Sequence, residues 1–119
     1  MSKRKISKVA ARILIDIGAI NFSPQAPFKL SSGFLSPSYI DCRKIIAYPS
    51  AFKAITDMMI DTIKSDMIAQ SPNYIIGGET AGIPFAAAIA EKMPLPLSYV
   101  RKKPKDYGKS KLIEGEILK

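Results

Sequence analysis

"YIIGGETAGIPFAAAIAEKM", residues 74–93, passes from a short β-type run through a turn of small and charged residues into an alanine-rich segment. Tyr74, Ile75 and Ile76 are aromatic or β-branched, as strands favour, and residues 83–93 read as a helix. A second β-type run, "LPLSYVRKK" (95–103), follows directly. Strand, helix and strand in this order spell a β-α-β unit, which normally lies in a parallel sheet with a right-handed crossover. The fold class is therefore α/β, and the question becomes why the acidic Glu79 stands among Gly77, Gly78 and Gly82 where strand hands over to helix.

Upstream, Ile6, Val9, Ala10, Ile13, Leu14 and Ile17 fall at helical spacing with Lys and Arg opposite, which predicts an amphipathic helix over 4–17 closed by Gly18. "FSPQAPFK" (22–29) carries two prolines and reads as an irregular loop. "FKLSSGFLSPSYIDCRK" (28–44) has two β-type runs around Gly33 and Pro37, which suggests a loose hairpin. In residues 48–72, Phe52, Ile55, Met59, Ile63 and Met67 share one helical face, with Pro49 suited to a first turn and Pro72 beyond the end. Residues 102–111 are polar, basic and aperiodic and read as a mobile loop, while "GEILK" with Glu114 before it reads as the start of another strand. A sheet of so few strands leaves an apolar edge uncovered, so the chain reads as stopping inside a fold.

Composition narrows the function classes. At 119 residues, 47% hydrophobic and 24% charged, the chain suits one globular core. Its net charge of +8 points to an anionic partner: nucleic acid, an anionic membrane or a phosphorylated small molecule. No secretory signal is evident, and no apolar run approaches the roughly 20 residues that span a bilayer. One cysteine, Cys42, and no histidine exclude an internal disulfide, a zinc site and every triad that needs histidine. A reducing cytoplasm fits best.

Three segments carry the candidate chemistry. In open parallel sheets ligands bind at the carboxyl ends of strands, and "GGETAG" sits at such an end before a helix N-terminus, where backbone N–H groups and the helix dipole attract an anion. The plainer reading is that the glycines turn the chain and Glu79 caps the helix beginning near Ile83. The pattern is neither a dinucleotide fingerprint nor a P-loop. "RKKPKDYGKSK" (101–111) sets six cations against one acid at the end of the next strand. Alone it reads as a solvated loop; beside the glycine-rich turn it supplies the other half of an electrostatic clamp for phosphate groups. "FKLSSGFLSPSYIDCR" (28–43) offers backbone N–H groups near Gly33 and an aromatic for a planar ligand, or else is a hairpin whose Tyr39 and Ile40 are core.

In this order the three segments resemble orotate phosphoribosyltransferases over nearly the whole chain, from about Ile6 onward. The resemblance implies the type I phosphoribosyltransferase fold, a parallel sheet flanked by helices under an N-terminal hood. It implies one incomplete domain over 1–119: helix and hood in 1–45, and in 46–119 the first part of the α/β core with a catalytic loop at 101–113. It implies transfer of phosphoribosyl from phosphoribosyl pyrophosphate to orotate, with Mg²⁺ bound along with phosphoribosyl pyrophosphate and no protein metal site. By position, Arg101, Lys102 and Lys105 match the basic residues that contact that substrate, in a loop that reaches the neighbouring subunit of a homodimer. Thr80 and Ala81 match the pyrophosphate side with Glu79 and Gly82 as neighbours, Glu79 organising the loop; Tyr39 and Ile40 fall near the base pocket.

Tyr107 stands where many members have histidine, able to donate a hydrogen bond but not to titrate near neutrality. Ser31 stands where some have lysine. The acidic strand end and Thr/Gly-rich loop that hold the 5′-phosphate in that family would follow Lys119. The resemblance therefore reads the chain as an N-terminal part of such an enzyme, from truncation or an interrupted gene, inactive alone. The rivals are a non-catalytic remnant or anion-binding module, and a nucleic-acid binder. Against the latter, the cations split between the first helix and 101–111 with no recognised nucleic-acid motif, so neither nucleic acid nor membrane is expected as partner.

Overall fold

Ser2 starts the first helix: its hydroxyl accepts the Lys5 N–H at 3.2 Å, satisfying one of the donors a helix N-terminus leaves over. The computed structural model describes residues 1–66, 70–104 and 112–118. Helix α1 (Lys3–Asp16) ends where Gly18 takes φ +70°, a conformation costly for residues with a Cβ. The Ala19 N–H then donates back to the Leu14 carbonyl at 2.8 Å, and Ala19 is fully buried.

The chain divides into two compact units, Met1–Ile55 and Thr56–Lys119, the boundary falling within helix α2 (Pro49–Asp66). In the first unit, β1 (Ile20–Phe22) pairs antiparallel with β4 (Ser38–Ile40), and β2 (Phe28–Lys29) with β3 (Leu35–Ser36). Two sequence expectations change here. Residues 22–29 do not form one irregular loop, since each end joins a two-stranded ladder and the prolines lie between. The hairpin around Gly33 is β2–β3 alone; past Pro37 the chain leaves β3 and pairs with β1, because Pro37 has no N–H to continue a ladder. A 3-10 turn (Cys42–Ala47) buries Ile45, and the Lys44 Nζ donates to the Gly18 carbonyl at 3.0 Å.

In the second unit the β-α-β reading holds. Strand β5 (Ile75–Gly78) runs parallel to β6 (Leu97–Val100), from Ile75 opposite Leu97 to Gly78 opposite Val100, and α3 (Gly82–Lys92) connects them. Ala86, Ile89 and Ala90 are the buried residues of α3. Its end is tied to α2, where the Lys92 Nζ meets Thr56 Oγ1 and Asp57 Oδ1, each at 2.8 Å. Met67, expected on the apolar face of α2, lies outside the described residues.

The final strand differs from expectation. β7 is Ile113–Glu114, antiparallel to β6, so the sheet is mixed, in the order β5-β6-β7. Gly115, at φ +99°, ends it, and residues 116–118 lie outside any strand. That return is fastened by Tyr74, whose hydroxyl shares a hydrogen bond with the buried Ser98 hydroxyl at 2.8 Å and donates to the Glu116 carbonyl. Among the described residues β5 has a strand on one side only. An apolar groove of about 380 Å³ with Met59, Ile63, Ile76 and Phe85 in its lining runs beside it. No helix among the described residues is long and apolar enough to cross a membrane.

Candidate functional site

Glu79 extends the parallel ladder one rung past β5: its N–H donates to the Val100 carbonyl at 2.8 Å. Its carboxylate then reaches two residues further along the continuation of the neighbouring strand, where Oε1 accepts the Lys102 N–H at 2.6 Å. The helix-cap reading of Glu79 is thereby corrected. The residue at the helix N-cap is Ala81, which makes no side-chain cap hydrogen bond, while the Glu79 carboxylate is engaged by β6's continuation.

This clasp sets two features of the sequence side by side. Thr80, Ala81 and Gly82 are exposed at the start of α3, and Arg101 and Lys102 leave the end of β6 beside them. The N–H groups at an α-helix start lack intrahelical acceptors and the dipole makes that end attractive to anions, although in α3 the third residue, Pro84, has no N–H to offer. The Ile83 N–H bends back to the Thr80 carbonyl at 3.3 Å, tightening the turn, and the Glu79–Thr80 peptide bond is cis. The Arg101 N–H donates across to the Leu112 carbonyl at 2.7 Å, while its Nε meets the Lys103 carbonyl at 3.4 Å. Amide donors at a helix start and two cations on an adjoining strand end make a site suited to a multiply charged oxyanion. Lys105 and Tyr107 lie outside the described residues.

Tyr39 and Ile40 belong to the first unit, on β4. Both are exposed, Ile40 to 54%, so the alternative of a buried hairpin core does not describe them. The Tyr39 ring lies 5.8 Å from that of Phe28 at an angle of 37°, and its hydroxyl accepts from the Arg43 guanidinium at 3.4 Å. Arg43 in turn donates its Nε to Asp41 Oδ1 at 2.8 Å, and that hydrogen bond holds the Asp41 carboxyl below its ordinary pKa. The contribution of this pair to stability is present above the ordinary carboxylate range and is lost as pH falls through the lowered pKa. Phe28 was not among the sequence candidates. β2 and β4 lie in separate two-stranded sheets, so neither residue type nor strand pairing reveals this ring contact.

Among the described residues no group of three or more Asp, Glu, Cys or His side chains forms a metal cage. Mg²⁺ characteristically binds through substrate phosphates with few protein ligands.

The α/β fold, with its β-α-β unit and a small-residue turn clasped to a basic strand end, is similar to that of type I phosphoribosyltransferases. An Aeropyrum pernix orotate phosphoribosyltransferase structure superposes with a TM-score of 0.67 at 32% identity, over 87% of this chain and 55% of that one. More particularly, the chain is homologous to orotate phosphoribosyltransferases. It is 50% identical to that of Cereibacter sphaeroides over 113 residues, 95% of this chain and 49% of that protein. With that of a Ruegeria species it shares 49% over 116 residues, 98% of this chain and 51% of that protein. The chain thus spans about half the length of the curated relatives it matches. No family model matches it.

Proposed function

We propose that this chain supplies the pyrophosphate-side and base-side elements of an orotate phosphoribosyltransferase, which transfers phosphoribosyl from phosphoribosyl pyrophosphate to orotate and releases pyrophosphate. The carrying observation is the Glu79 clasp, which brings the Thr80–Gly82 turn to the root of the basic segment at Arg101 and Lys102. The names of relatives at about half identity support the choice of orotate.

In this reading a ring nitrogen of orotate bonds to the anomeric carbon as the bond from that carbon to the pyrophosphate oxygen breaks. The ribose passes through an oxocarbenium-like state, and the negative charge grows on the departing pyrophosphate. Arg101, Lys102 and Lys105 neutralise that charge, and the amides at the start of α3 hold the departing group in place. Positioning and charge neutralisation need no histidine. Mg²⁺, brought with the diphosphate as part of the substrate, would supply further neutralisation of its oxygens. Tyr39 and Ile40 offer an exposed aromatic and apolar surface for the base, and Tyr107 a hydroxyl. The reading includes a homodimer in which the basic loop serves the partner's site, in the cytoplasm.

The test is orotate- and phosphoribosyl-pyrophosphate-dependent pyrophosphate release by the purified chain, with and without the remaining half of a relative added as a separate polypeptide. The expected outcome is no turnover alone and turnover on addition. Turnover by the 119 residues alone would contradict the division of labour, and none in the mixture despite binding of the two polypeptides would contradict the assignment.

A further inference from the structure

We infer that Glu79 is a positioning residue for Arg101, acting across the sheet on the backbone of the neighbouring strand; its consequence for ligand binding rests on the function proposed above. Three contacts bracket one residue. The Val100 carbonyl accepts the Glu79 N–H at 2.8 Å, the Lys102 N–H donates to Glu79 Oε1 at 2.6 Å, and the Arg101 N–H donates to the Leu112 carbonyl at 2.7 Å. The peptide groups on both sides of Arg101 are therefore fixed from two directions, which sets its backbone dihedrals and the direction in which its side chain departs. Two of the three contacts come from Glu79.

The chemistry of the contact states what the residue must provide. The partner is a backbone N–H, so the requirement is an acceptor oxygen at the reach of a glutamate side chain, not a proton and not a negative charge as such. Glutamine offers a carbonyl oxygen at the same reach, aspartate an oxygen one methylene short, and alanine none. Glu79 is half-buried beside an exposed turn that attracts anions, and a carboxylate left loose there would repel the ligand. Tying it to Lys102 turns that charge onto the chain's own amide.

The experiment compares the wild-type chain with Glu79→Gln, Glu79→Asp and Glu79→Ala. The first readout, without ligand, is amide hydrogen exchange at Lys102, with Ala86 and Ile89 as reporters of folding. Glu79→Gln is expected to keep Lys102 protected, whereas Glu79→Asp and Glu79→Ala speed its exchange by up to roughly tenfold, the loss of one hydrogen bond. The second readout is titration with magnesium pyrophosphate, where Glu79→Gln is expected within about threefold of wild type and Glu79→Ala roughly tenfold weaker. Glu79→Gln failing as badly as Glu79→Ala in the exchange readout would overturn the inference, because charge and not reach would then matter; so would unchanged Lys102 exchange in Glu79→Ala. Absence of pyrophosphate binding by wild type counts against the proposed function alone, since the exchange readout still decides the role of Glu79.

Discussion

Replacing Gly77 by alanine is expected to destabilise the second unit by about 1–3 kcal/mol, the usual cost of overpacking a tight interior. A Cβ at this position would stand 2.8 Å from the Ala86 Cβ, 3.1 Å from the Gly82 carbonyl oxygen and 3.3 Å from the Ile83 Cα. Two of these atoms are backbone and the third is the stub of a buried alanine, so no flexible side chain can swing aside. Helix α3 would have to lift off β5, moving the Thr80–Gly82 turn with it. Gly78, one residue on, is the control: a Cβ there meets nothing within 4 Å. Urea unfolding of the two variants should give a clear loss of midpoint for Gly77→Ala and little change for Gly78→Ala. Equal midpoints would mean that β5 and α3 are not packed as described.

The second large effect is expected at the cations. Arg101→Ala and Lys102→Ala should each weaken binding of magnesium pyrophosphate by roughly tenfold to a hundredfold, as loss of a charge-assisted contact does. Arg101→Lys should rescue only in part, since an ammonium cannot present two parallel N–H groups to one phosphate. Charge reversal on α1, for example Lys8→Glu, is the control for overall charge and is expected to cost less affinity than removal of either of these two cations. Calorimetric titration separates these cases. Equal losses from Lys8→Glu and Lys102→Ala would reduce the site to overall charge.

The β-α-β unit was legible because its signals are local: β-branched residues at 74–76, helix formers at 83–93 and a second apolar run at 95–100. Pro49 in the first turn of α2 announces a helix start in the same way, whereas the Ser2 cap of α1 emerged only with the fold. What was not legible depends on pairing between distant residues. Nothing in "INF" marks residues 20–22 as the partner of 38–40, and a two-residue strand such as β7 shows no alternation to detect. Glu79 is the sharpest case at the candidate site. An acidic residue just before a helix reads locally as a cap, yet the acceptor went to Lys102, 23 positions away, because the parallel register brings residue 79 beside the continuation of β6. Arg101 and Lys102 stand out by charge and position at a strand end, whereas pattern left Tyr39 open between core and site and only the family resemblance made it a candidate; the Phe28 ring beside it required the fold.

The most direct measurement is a titration of the isotopically labelled 119-residue chain with magnesium phosphoribosyl pyrophosphate, followed by amide resonances at two salt concentrations, with sulfate as the competing anion. A site at the strand ends predicts saturable shifts concentrated at Glu79 to Ile83 and at Arg101 and Lys102, persisting against sulfate. Shifts spread along Lys3, Lys5, Lys8 and Arg12 of α1 and abolished by salt, or no shifts at all from a folded chain, would contradict it.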